Sequence, residues 1–158
     1  PMKHLLLLSL AAAALPAGPS TAAAQTGGAA APAAPRPTPP CGPNLTTVKN
    51  VDPRSRCFEM RTYTVREGSS IDLLHSRFRQ HTTRLFAKHG MTNIGYWQPV
   101  DRPNQLIYLL AYPDAASRDK AWAAFSADPE WVKVRTDTQV TVQVDSVFMS
   151  ATDYSSIK

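Results

Sequence analysis

The chain lacks the glycine patterns that cradle phosphates or dinucleotides, and it has no G-x-S-x-G elbow for a serine nucleophile. Its only cysteines are Cys41 and Cys57. A C-x15-C spacing with no second pair of ligands is no metal site, and nothing near Cys57 activates it as a thiol nucleophile. Zinc-finger spacing is also missing, and the net charge of +5 is spread along the sequence. The densest basic run, "HSRFRQHTTR", suits the solvated face of a helix, so specific nucleic-acid binding is not expected. No cofactor and no metal are expected. The longest apolar run lies near the amino terminus and is too short to span a hydrocarbon core comfortably, which argues against a stable membrane anchor.

What is present begins with a leader. Met2 to Ala24 opens with Lys3 and His4, continues through "LLLLSLAAAAL" and reaches the small residues of "STAAAQ". This reads as a secretory signal over 2–24 cleaved after Ala24, with no cysteine for lipid attachment. The expected location is periplasmic or secreted. Residues 25–53 contain "TGGAAAPAAPRPTPPCGP", whose proline and alanine bias predicts an extended linker. Residues 54–158 then have room for one small domain, whose modest core would gain from oligomerisation. Export to an oxidising compartment makes Cys41 and Cys57 a candidate disulfide tying the linker to the first strand.

Periodicity orders the domain. "CFEMRTYTV", residues 57–65, predicts a strand with Phe58, Met60 and Thr62 on one face and Glu59, Arg61 and Tyr63 on the other. Ser69 or Ser70 can cap a helix over 71–88. Its inward stripe holds Ile71, Leu74, Phe78 and Leu85, with Thr82 less central and His81 between Leu74, Phe78 and Leu85. His75 falls towards an edge, Arg77, Arg79 and Arg84 towards water, and Gly90 closes the helix. Strands near 92–99 and 105–112 flank the reversal "DRPN". A helix over 114–127 follows, carrying Arg118, Trp122 and Phe125 on one side; "DPEW" redirects the chain into a short additional turn under Trp131. The phase change in "TVQVDSVFM" predicts a strand bent or bulged near Asp145 and Ser146. Strand, helix, strand, strand, helix, strand is the order of an α+β, ferredoxin-like sheet with two main covering helices. The apolar stretches "LIYLLAY" and "VTVQV" suggest a homodimer formed through the sheet.

Four stretches in order, "FEMRTYTVREG", "LHSRFRQHTTRLFAKHGMTNIGYWQPV", "LIYLLAYPDAASRDKAWAAFSADPEW" and "FMSATDYSS", resemble the NIPSNAP domain family over residues 57–156. That resemblance implies a dimeric α+β barrel built from two ferredoxin-like sheets. The chain departs from the family in reading "FEM" where "YEL" is common and in following "DYS" with "SIK", which affects the rim of any pocket more than the fold. The histidine of "RFRQH", His81, falls in a recurring family landmark.

The candidate site residues follow. His81 is either a satisfied core histidine or a general acid/base, since an imidazole titrates near neutrality. Arg61 is the second catalytic candidate, able to hold a carboxylate or a developing oxyanion. Glu59 and Tyr63 share its strand face, as ligand-binding groups or as part of a salt-linked sheet surface. Tyr96 and Trp97 can stack on a flat ligand or serve the core or interface. The functional expectation is an exported domain that binds a small organic molecule or a protein partner. An alternative, by fold analogy, is a cofactor-independent monooxygenase-like enzyme for a small conjugated substrate, with Tyr96 or Trp97 positioning it, His81 moving a proton and Arg61 meeting the oxyanion. A purely structural dimeric scaffold is the third.

Overall fold

A computed structural model describes residues 38–158 of the chain. The signal assigned to 2–24 and the part of the linker before residue 38 lie outside the described residues. The elements run β1 (Cys57–Val65), α1 (Ile71–Arg77), a π-helical turn (Phe78–Thr82), α2 (Thr83–Lys88), β2 (Thr92–Trp97), β3 (Gln105–Tyr112), α3 (Ala115–Ala127), α4 (Pro129–Thr138) and β4 (Val142–Ser150). The strands make one antiparallel sheet in the order β2-β3-β1-β4, the ferredoxin-like arrangement expected from the sequence.

Sequence chemistry fixes most boundaries. Ser70 accepts from the Asp72 amide to start α1, Asp114 accepts from the Ser117 amide at 2.7 Å to start α3, and Asp128 accepts from the Glu130 amide at 2.8 Å to start α4. Pro129 at the first position of α4 loses no helical hydrogen bond there. Gly90, at φ +78°, takes the left-handed conformation that lets the chain leave α2 for β2. The helix that opens within "DPEW", at Pro129, runs a full ten residues, longer than the short turn predicted, because Asp128 and Pro129 together make a good amino-terminal cap.

Alternation along the strands gives the sheet two different faces. Cys57, Glu59, Tyr63 and Val65 of β1, with Leu106, Tyr108, Leu110 and Tyr112 of β3, turn towards the helices. They meet Leu74, Phe78, Leu85, Phe86, Ala121 and Phe125 in one core, where full burial of each large apolar side chain is worth about 1.5–3 kcal/mol. The other face carries Met60, Thr62, Ile107 and Leu109, all half-buried, and no helix among the described residues covers it. β4 pairs with β1 in unbroken register from Val142↔Val65 to Ser150↔Cys57, so the expected bulge at Asp145 and Ser146 is absent. The change of apolar phase has another cause: Val142 and Val144 lie beside Val65 and Tyr63, whereas Val147 and Met149 lie beside Met60 and Phe58. The sheet's register shift sits instead in β2, between Asn93 and Gly95.

The described part of the expected linker is folded. Cys41 and Cys57 form a disulfide with their Cα atoms 4.7 Å apart. Val51 bridges Thr152, the Asp52 amide donates to the Ala151 carbonyl at 2.9 Å, and the Gly42 amide donates to Ser150 Oγ at 3.2 Å. Residues 38–53 therefore form a strap against the end of β4, not an extended linker. The proline-rich strap finds its partners in the strand end and the carboxy-terminal tail, a long-range match that composition does not reveal.

Candidate functional site

Glu59 lies in β1 under α3 and is fully buried. Arg61 Nη1 donates to its Oε1 at 2.6 Å; Arg118 places Nη2 on Oε1 at 2.8 Å and Nε on Oε2 at 2.9 Å. The Tyr112 hydroxyl and Trp122 Nε1 each donate to Oε2 at 3.1 Å, and Trp122 Nε1 also reaches the Tyr112 hydroxyl at 2.8 Å. Burial pushes the Glu59 carboxyl up, but Arg118 and Arg61 more than offset this and hold it below its ordinary range. Burial likewise pushes the Tyr112 hydroxyl up, so it stays a donor. Five donors thus saturate one ionised carboxylate. Such a group anchors its neighbours; it has no free lone pair for accepting a substrate proton.

Arg61 stands over Trp122 at 4.3 Å and over Tyr63 at 5.6 Å, so Glu59, Arg61 and Tyr63 form one cluster, as their shared strand face predicts. Sequence reasoning missed its other members. Arg118 and Trp122 are four residues apart on α3, and a lone arginine within that otherwise apolar side was the available signal for a buried carboxylate partner. Tyr108 and Tyr112 alternate on the helix-facing side of β3, a signal visible only once that face is known.

A second feature opens beside β2. A groove of about 280 Å³ has Phe78, Tyr96 and Leu106 as apolar walls, Trp97 at its edge, and His75, Arg79 and Gln98 among its polar groups. The two rings predicted as ligand contacts therefore line the same groove, although neighbours in a strand point to opposite faces. Two local features permit this: β2 is an edge strand, and its register shifts near Gly95, where a Cβ would come within 2.6 Å of the Trp97 ring. Tyr96 is fixed from behind by Tyr108, stacked at 5.7 Å, and by Phe78, edge-on at 5.7 Å; its hydroxyl donates to Asn93, which donates in turn to the Thr83 carbonyl at 3.0 Å. Trp97 is 54% exposed. His75 Nε2 and Gln98 Oε1, 2.9 Å apart, tie α1 to the end of β2.

His81 is in neither arrangement's hydrogen-bond network. It lies half-buried in the π-helical turn, and Thr82, only 1% exposed, takes the core position that α-helical counting gave to its neighbour. The wider π turn inserts extra backbone between Phe78 and Leu85, so the buried stripe runs Leu74, Phe78, Thr82, Leu85 and Phe86. Thr82 and Thr83 donate to the carbonyls of Arg77 and Phe78, each five residues back. The same region corrects the expectation for Arg77, which is buried and not in water. His89 donates to or accepts from neither cluster; its Nε2 meets Asp128 at 2.7 Å, alongside Lys88.

The sequence profile of the NIPSNAP family matches residues 58–156. Among solved structures, a NIPSNAP family protein of unknown function from Agrobacterium tumefaciens superposes with a TM-score of 0.58 at 18% identity, covering 65% of this chain and 94% of its own. An uncharacterised NIPSNAP-like domain protein from Burkholderia xenovorans gives 0.57 at 20% identity, covering 63% and 88%. A second A. tumefaciens NIPSNAP family protein gives 0.58 at 20% identity, covering 65% and 99%. Comparison with curated proteins found no match. The structural likenesses establish the shared fold, and the profile, which spans more than half of the sequence, establishes that this chain belongs to the NIPSNAP family.

Proposed function

We propose that the protein is an exported, homodimeric binding domain that takes a small, flat organic molecule into the groove beside β2. The observation that carries this reading is the groove itself: two aromatic side chains from an edge strand, one braced by Tyr108 and Phe78 and one largely free, face a small number of polar groups. An apolar wall with a few convergent polar groups is the ordinary composition of a small-molecule site. Tyr96 supplies a braced surface and Trp97 an exposed one, while His75, Arg79 and Gln98 orient polar substituents at the mouth. Export rests on the leader sequence. The homodimer is supported by the uncovered sheet face and by β4, whose Val144 and Val147 are exposed on opposite sides.

The test is a fluorescence screen of mono- and bicyclic aromatic compounds against the processed protein, repeated with Trp97→Ala and Tyr96→Ala. Saturable binding weakened by both substitutions, with far-ultraviolet circular dichroism unchanged, is the expected result. Binding indifferent to both substitutions would reject the groove.

A further inference from the structure

Most polar groups on the wall of the groove beside β2 already have partners within the chain. Gln98 donates from Nε2 to the Pro103 carbonyl at 2.9 Å, which leaves its Oε1, an acceptor, facing His75 Nε2 at 2.9 Å. That imidazole nitrogen is therefore the donor. The Tyr96 hydroxyl donates to Asn93, and the Thr83 hydroxyl donates to the Phe78 carbonyl at 3.2 Å. Two donors on the wall have no partner among the described residues, the Arg79 guanidinium and the Trp97 indole N–H. The acceptors left over are His75 Nδ1 and the spare lone pairs of the two hydroxyls, none of which carries negative charge.

Arg79 gives the groove its permanent charge, and no acidic side chain lines it. The helix offers Arg79 no counterion, since the residues three and four positions away are His75, Ser76, Thr82 and Thr83. Among the described residues no carboxylate pairs with it, and the first 37 residues contain neither Asp nor Glu. Arg79 is exposed, so water solvates it in the free protein and a ligand oxyanion has only that water to displace. Arg79 follows Phe78 directly in the π-helical turn, so a single turn supplies both a buried apolar wall and the charge beside it. The volume of about 280 Å³ lies just under the usual range of about 300–1,000 Å³ for small-molecule sites and limits the occupant to one or two rings.

We infer that the groove selects aromatic carboxylates, one or two fused rings bearing an ionised acid, with the ring against Tyr96 and Trp97 and the carboxylate on the Arg79 guanidinium. The inference rests on the groove being a ligand site and adds the chemical class of the ligand. A guanidinium presents paired N–H groups that match the two oxygens of a carboxylate, and a neutral amide of the same shape lacks the charge that strengthens those bonds. Arg79 is thus the residue that sets specificity, while the rings supply contact area that acid and amide share.

The test compares indole-3-carboxylate with indole-3-carboxamide by isothermal titration calorimetry at pH 7 on the processed full-length protein. The carboxylate should bind about tenfold more tightly than the carboxamide. Arg79→Gln should bring the carboxylate down to the level of the carboxamide and leave the carboxamide unchanged, and since the side chain is exposed without a partner the variant should unfold at the parent's temperature. Trp97→Ala should weaken both compounds. Raising the salt from about 0.01 M to about 1 M shortens the Debye length from about 30 Å to about 3 Å, so it should weaken the carboxylate alone, a readout that needs no variant. Equal affinities in the parent, with both compounds weakened by Trp97→Ala, would overturn the carboxylate assignment and leave the groove standing as a site for neutral rings. A preference for the carboxylate that survives in Arg79→Gln would overturn the role of Arg79. Carboxylate binding indifferent to Trp97→Ala and Tyr96→Ala would overturn this inference and the groove together, and no carboxylate binding at about 1 mM would overturn the inference alone if other aromatic compounds still bind.

Discussion

Arg118 grips Glu59 with a two-point fork, Nη2 on Oε1 at 2.8 Å and Nε on Oε2 at 2.9 Å, and so fastens α3 to the middle of the sheet. The bond joins residues 59 positions apart through a carboxylate that has no contact with water. Removing one partner from such a pair leaves uncompensated charge behind. Glu59→Gln keeps the shape and strands both Arg61 and Arg118, so it should lower unfolding stability by about 3–5 kcal/mol, read as a lower urea midpoint at unchanged slope. A loss near zero would show that the fork contributes little.

The same carboxylate sets an acid limit. Its pKa is lowered in the folded protein from an ordinary value of 4.5, so the stabilisation it supplies is present above that value and is lost as pH falls through the folded value. Asp128 behaves alike, held low by hydrogen bonds from Lys88 and His89. Urea midpoints measured from pH 6 downward should therefore fall below about pH 4.5. The Glu59→Gln chain should show a shallower decline over the same range. A parallel decline in both proteins would remove Glu59 from the acid response.

The disulfide closes the strap onto the first strand. Under the loop-entropy description, a bridge across a separation of 16 residues contributes about 3 kcal/mol. Cys41→Ser avoids disturbing the buried Cys57 as far as any single change can, and it should lower the unfolding temperature of the oxidised protein to that of the reduced parent. Intact mass should fall by two hydrogens on oxidation of the parent and should be unaffected in the variant. Two free thiols in the non-reduced parent would contradict the pairing.

Much of this arrangement was legible in the sequence, for reasons that particular residues make plain. Strand alternation placed Glu59, Arg61 and Tyr63 together because period-two geometry leaves little choice once a strand is recognised. The cap at Ser70 was local hydrogen-bonding chemistry. Counting 100° per residue failed after Phe78, since nothing in "FRQHT" announces a π turn; that single insertion moved His81 out of the stripe and Thr82 from its margin to its centre. Arg77 was assigned to water because a helix face is read from hydrophobicity, and an aromatic shelf such as Trp131, 54 residues away, has no trace in the local pattern. The fold of residues 38–53 was hidden for a related reason: its partners lie at the far end of the chain.

The proposed dimer makes a separate demand on the uncovered sheet. Val147, 49% exposed beside Met60, lies on the face without helices. Sedimentation equilibrium of the processed protein should give twice the chain mass, and Val147→Glu should shift the population towards monomer by placing a charge in the buried interface. A parent that stays monomeric across the accessible concentration range would reject the assembly.

The claim that the edge-strand groove receives a small organic ligand is tested most directly by a nitrogen-15 correlation spectrum of the processed protein during titration with an aromatic binder from the screen. The expected result is a saturable shift of the Trp97 indole resonance together with the amides of Tyr96, Gln98 and His75, while residues of the open sheet face stay in place. Shifts confined to Met60, Ile107 and Val147, with the Trp97 indole unmoved at saturation, would contradict it.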